Sequence, residues 1–299
     1  MNKRSFILLL GLAVSATVLT SCGSGTENND GSGDDTATVS QDNSRKNASL
    51  VFKSIPSPAE LTSLIKQAGA SYDFKLLNDV NNKSKYVSTT AKALNLGVYG
   101  ADLSYASIFD QTQESMLYIQ CAQALAGGIG AGSAFDDQTI NRMNDNKGNS
   151  DSMLNIVTDT YNNTDDLLSE GGRSGVSALV VAGGWIEALY IGTQLCQTSK
   201  NNAEIVKRIA ELKGSLENLI ALLEENKDTE GVPQLIEDLK GIKAVYDGVG
   251  DNKTAEVKST DEKNKITTLG GGNQMTLTPE QLAQITDKAA SLRNRIIKP

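Results

Sequence analysis

The stretch that most limits what this chain can become is residues 174–197, SGVSALVVAGGWIEALYIGTQLCQ, which holds the only tryptophan. From Val176 to Ile191 the apolar run is interrupted only by Ser177 and Glu187. It is shorter than the roughly twenty apolar residues that cross a bilayer. Ala178, Val181, Ala182, Trp185, Leu189 and Gly192 follow helical spacing, and Val180, Ile186 and Tyr190 fall on the other side. A helix apolar on nearly every face belongs at the centre of a core. Ser177, Gly184, Glu187 and Gln194 leave one narrow, weakly polar stripe. Gly183 and Gly184 weaken a helix, but they let a neighbouring backbone approach closely.

Helical segments are expected on both sides of this centre. Ser57-Pro58-Ala59-Glu60 combines a capping serine, proline at the first helical position and glutamate at the third. Leu61, Leu64, Ile65 and Ala68 extend that face until Gly69. The same grammar at Thr278-Pro279-Glu280-Gln281 opens a terminal helix over 278–297, with Leu282, Ile285, Ala289 and Leu292. In between, 86–110 carries a seam at Leu94, Val98, Ala101, Tyr105 and Ile108, with a break at Asp110-Gln111. A helix over 112–126 is stopped by the glycines of 127–132, and a short helix followed by loop is expected in 136–149. Another helix covers 150–169, and Gly171-Gly172 turns the chain into the central one.

Beyond Gln197, Ile205, Ile209, Leu212, Leu216, Leu219 and Leu223 alternate steps of four and three, as a coiled-coil seam does. Val232, Leu235, Leu239, Ile242, Tyr246 and Val249 alternate in the same way after a short connection. Together they predict an antiparallel helical hairpin over 202–250. Residues 251–265 read as polar loop, and 266–269 with 274–277 as the arms of a small β-hairpin turning through Gly270-Gly271-Gly272-Asn273. The predicted class is all-α, a multi-helix, up-and-down, bundle-like body with that hairpin and one small β-hairpin near its end.

At the N-terminus, Lys3 and Arg4 precede an apolar run over 6–19 that ends in Leu19-Thr20-Ser21-Cys22. A charged head and a short hydrophobic body make an export signal, and the ending resembles the lipobox of bacterial lipoproteins. The resemblance covers residues 1–22. It implies cleavage before Cys22, which would carry diacylglycerol and an amide-linked acyl chain (palmitate in kind). Several acyl chains make attachment stable where one is marginal. Gly23 is not the aspartate that retains such proteins in the inner membrane, so the resemblance favours the outer membrane of a Gram-negative cell. Whether the body faces the periplasm or the medium stays open. Residues 22–49 are Gly, Ser, Thr, Asn and Asp with few apolar residues, the composition of a flexible tether. Asp35-Thr36-Ala37 within it resembles an O-glycosylation sequon of one Gram-negative phylum, marking Thr36, as does Asp151-Ser152-Met153. The organisation is thus a signal (1–21), a tether (22–49) and a helical body (50–299).

The formal net charge of −8 argues against nucleic acid and against electrostatic adhesion to anionic lipid. The chain has no histidine, which removes the commonest metal ligand and the commonest general base. No metal or cofactor is therefore expected. Cys121 and Cys196 form an even pair that an oxidising compartment would allow to bridge; set among apolar helical residues, they equally suit two small buried hydrophobes. Asp102 and Glu187 are the acids most embedded in apolar surroundings. Converging in one cleft, they could serve as an acid–base pair, and Tyr99, Tyr105, Trp185 and Tyr190 could line it. At helical spacing these aromatics also suit a core. Gly128-Ile129-Gly130-Ala131-Gly132 follows a helix and lacks the third glycine of a dinucleotide fingerprint, so helix termination explains it. The Asp- and Asn-rich loops lack EF-hand spacing.

The expected function is that of a lipid-anchored envelope protein acting as a non-catalytic interaction, accessory or scaffold module, with an envelope protein as partner through its helical surface. The alternative is a small-molecule or glycan binding protein, or hydrolase, with a carboxylate-lined cleft. Residues 50–299 resemble no functional family.

Overall fold

A computed structural model describes residues 70–199, 202–249 and 276–298, with the backbone of four short strands between the last two. Cys22, the tether with Thr36, and the helix expected from Ser57 lie outside the described residues.

Within them the fold is all-α. Two 3-10 turns, Phe74–Leu76 and Val80–Ser84, lead into α1 (Thr89–Ile108), whose N-cap Ser88 accepts the Ala91 N–H. Asp110, at φ 56°, reverses the chain, and the Gln111 N–H reaches back to the Ala106 carbonyl. Next come α2 (Thr112–Gly128), α3 (Asp137–Asp145), α4 (Ser150–Glu170) and α5 (Ser174–Thr198). Asp136 and Asn149 cap α3 and α4 through their side chains. Asp136 accepts the Thr139 N–H at 2.7 Å, and that bond holds its carboxyl below the usual range. Past α5 lie α6 (Ala203–Glu211), α7 (Lys213–Glu225), α8 (Val232–Asp247) and α9 (Pro279–Ile297). A reciprocal box of Thr278 and Gln281 starts α9.

The sequence's apolar centre becomes the hub. α5 packs against α1, α4, α6, α7 and α9, while α2 covers α1. Trp185 is 1% exposed. A glycine from each helix explains how closely α1 and α5 cross. A Cβ at Gly183 would lie 1.9 Å from the Leu94 carbonyl oxygen, and one at Gly97 would lie 2.0 Å from that of Val180. The backbones are in van der Waals contact, which no larger residue permits. The polar stripe of α5 is occupied too: Ser177 hydrogen-bonds Asp165, and Glu187 meets Arg293.

Two expectations need correction. The seam of 202–226 is not one helix, because Leu212 (ψ −6°) separates α6 from α7. The buried indole of Trp185 needs an acceptor, and Ser215 supplies it at 3.0 Å while donating to the Leu212 carbonyl. The hairpin of α7 and α8 survives the kink: Glu224 pairs with Lys240 and Glu217 with Lys243, an antiparallel order.

The small β-hairpin is not formed as expected. β3 (Ile266–Gly270) pairs antiparallel with β2 (Glu256–Asp261), inside the stretch expected to be loop, rather than with 274–277. β4 (Gln274–Met275) pairs instead with β1 (Asp251–Asn252). Val257 and Thr260 give the upstream segment β-branched residues of its own, and Leu277 joins the helical core.

Candidate functional site

Among the described residues, one cluster of charged side chains is buried. Asp102 is on α1, Glu187 faces it from α5, and Arg293 arrives from α9. Arg293 stands on the same face as Ile285 and Ala289, so the apolar stripe of α9 carries a guanidinium straight into the core. Its Nε donates to Glu187 Oε2 at 2.9 Å and to Oε1 at 3.3 Å, and Nη2 donates to Oε1 at 2.9 Å. Nη2 also reaches the Leu76 carbonyl at 2.8 Å, tying the turn before α1 into the cluster. The guanidinium carbon lies 4.6 Å from the centre of the half-buried Tyr190 ring, a cation–π contact. On the other side, Asp102 Oδ2 accepts the Asn78 N–H at 3.1 Å.

A layer of amides and a phenol extends the network to the end of α9. Asn95 donates to the Ile296 carbonyl at 2.9 Å and Tyr86 to the Ile297 carbonyl at 3.0 Å. These carbonyls have no partner within the helix, so the two side chains complete its C-terminus. Asn78 links them by donating to the Tyr86 hydroxyl and to Asn95 Oδ1. Nearby, Tyr99 donates to the Asp79 carbonyl at 2.8 Å.

Burial and mutual repulsion govern the electrostatics. Desolvation, then the charge of Glu187, drives the Asp102 carboxyl well above the carboxylate range, against the pull of Arg293 and the Asn78 N–H. Glu187 is also raised by burial, with the Arg293 bonds acting in opposition. For Arg293, burial opposes the charge, yet the bonds it donates to Glu187 prevail and raise its pKa.

Of the sequence-predicted cleft residues, Asp102, Glu187 and Tyr190 meet around Arg293, with Tyr99 beside them. Two others go elsewhere: Tyr105 stacks on Tyr72 at 5.4 Å, and Trp185 turns to Ser215. Tyr99, Asp102, Tyr105, Trp185 and Glu187 each expose 2% or less, so in this state they line no opening. Arg293, Asn78, Asn95 and Tyr86 did not stand out in the sequence. The signal for Arg293 was a charge four residues beyond Ala289 on an apolar stripe; the others carried none, because their partners are distant in the chain.

The cysteine bridge is not formed. Cys121 and Cys196 are free, buried thiols. Cys121 Sγ points to the Val80 carbonyl at 3.7 Å, while Cys196 lies at the end of α5, where Asn202 donates to its carbonyl. Burial raises the two thiols to about 11 and about 12 respectively. A separate shallow depression runs between α3, α4 and the turn before them, lined by Ser133, Asp136, Thr139, Asn163, Asp166 and Glu170.

Fold and site together define an all-α body closed around a buried Asp–Glu–Arg cluster. No protein-family profile, curated protein or solved structure matches this chain.

Proposed function

We propose that this is a lipid-anchored cell-envelope protein whose helical body serves as a non-catalytic interaction, accessory or scaffold module. The anchor reading is carried by the order of basic head, apolar run and Leu19-Thr20-Ser21-Cys22, followed by a polar tether. The scaffold reading is supported by the use made of the core acids, since Glu187 is engaged by Arg293 in joining α9 to α5. Outer-membrane placement follows from Gly23, and an envelope protein docked on the helical surface is the expected partner.

Two measurements test this. A Gram-negative host fed an alkyne fatty acid should label the wild-type chain and not Cys22→Ala. Gentle crosslinking of the full chain should then recover a stoichiometric envelope protein. Absence of label removes the anchor, and recovery of the chain alone removes the partner.

One observation favours the alternative, a ligand-binding or hydrolytic protein: Asp102 and Glu187 are side by side. That reading requires α9 to withdraw Arg293 and open the pair to solvent. It predicts turnover or ligand retention that Glu187→Gln abolishes.

A further inference from the structure

Two carboxyl groups share one cation, and the hydrogen-bond donors are divided unequally between them. Both oxygens of Glu187 are served by Arg293. Asp102 receives the Asn78 N–H on Oδ2, while its buried Oδ1 has no donor directed at it. The two carboxyl groups nonetheless lie within electrostatic reach of one another, the charge of Glu187 raising the Asp102 carboxyl. Two carboxylates cannot hydrogen-bond, because ionised oxygens only accept. A proton on one of them turns the contact from repulsive to attractive. The placement of donors selects the carrier, since a carboxylate at Asp102 would be underserved and one at Glu187 is fully served.

We propose that Asp102 keeps its proton in the native state and donates it from Oδ1 to Glu187, so that the body takes up one proton as it folds and the α1–α5 crossing loosens as pH rises.

Among the groups facing Asp102, only the carboxyl pair itself can change charge near neutral pH. Glu187 and Tyr190 come from α5 and Arg293 from α9; Tyr118 and Cys121 come from α2 and Tyr161 from α4. Tyr99 lies on α1, and Tyr72 and Tyr86 precede it. Burial pushes each of these phenols and the thiol upward, so all stay neutral near pH 7. The unfolded carboxyl titrates near 4 and the native one well above that. Its stabilising effect is complete below the unfolded value and is lost as pH rises toward the native one. The background is unusually quiet. With no histidine in the chain, no side chain of ordinary pKa titrates between about pH 5.5 and 7.5.

Urea unfolding of the full chain across that window, for wild type and Asp102→Asn, tests the proposal. Asparagine can donate the same hydrogen bond but has no proton to lose. The folding constant of wild type should fall by up to about tenfold per pH unit while that of the variant stays flat. Parallel profiles would overturn the assignment. Should the variant fail to fold, the carbon-13 shift of the Asp102 carboxyl in wild type at pH 7 decides alone: an acid's shift upholds it and a carboxylate's overturns it. For the crossing, amide exchange in α1 and α5, corrected for its intrinsic base dependence, should speed up over the same window. Protection in α1 and α5 that stays constant across it would sink that part.

Discussion

The core cluster and the α7–α8 hairpin contain ion pairs of nearly the same length in opposite surroundings. Arg293 Nη2 and Glu187 Oε1 are 2.9 Å apart, with side chains 6% and 0% exposed. Lys240 and Glu224 are also 2.9 Å apart, with side chains 48% and 45% exposed. Distance does not distinguish them; water does. At the hairpin surface either partner can be hydrated alone, so the pair adds little. In the core neither ion has an alternative, so the pair holds α9 against α5 in one arrangement without itself being a large source of stability.

The contrast breaks most sharply at Arg293. Arg293→Met should destabilise by about 3–5 kcal/mol in urea unfolding, because Glu187 is left buried and unpaired. Adding Glu187→Leu should recover a large part of that loss, since an apolar pair of similar volume suits the site. A double variant no more stable than the single one would show that the cluster acts through packing alone.

Gly183→Ala comes next, at about 1–3 kcal/mol, as the Leu94 carbonyl is backbone and cannot step aside cheaply. Gly127→Ala is its control. A Cβ there meets nothing within 4 Å, so the change should be neutral or stabilising by about 0.5 kcal/mol. Equal effects at the two glycines would refute the close crossing.

Ser215→Ala should cost about 1–3 kcal/mol by leaving the Trp185 indole N–H unsatisfied, with a change in tryptophan fluorescence. The smallest effect belongs to the hairpin: Lys240→Ala should leave the urea midpoint within error, and 1 M salt should not separate it from wild type. A clear shift would mean that the hairpin surface is less hydrated than its exposure indicates.

The sequence made local features plain and distant ones obscure. The ends of α1, α4, α5 and α9 were legible because caps, glycines and apolar spacing act within a turn or two. The class and the helical hairpin followed from the same periodicity. Asp102 and Glu187 could be singled out as acids in apolar company, but not what they do, because Arg293 lies 106 residues beyond Glu187. The kink at Leu212 was hidden for a related reason, since Ser215 beside it serves an indole thirty residues away in the chain. The strand pairing failed where two upstream segments competed for the same partners, and pairing energies among short polar strands differ too little for pattern alone to rank them.

The order in which the cluster's members occur along the chain has a consequence for how the protein is born. A ribosome makes Asp102 first, Glu187 much later and Arg293 last, so for a time the segments of α1 and α5 carry the two acids with no cation to meet them. Closing the cluster means bringing together residues far apart in sequence, which is intrinsically slow. Nascent chains should therefore stay loosely packed at this crossing until α9 is available, and the arginine sets the moment at which the body becomes a finished object.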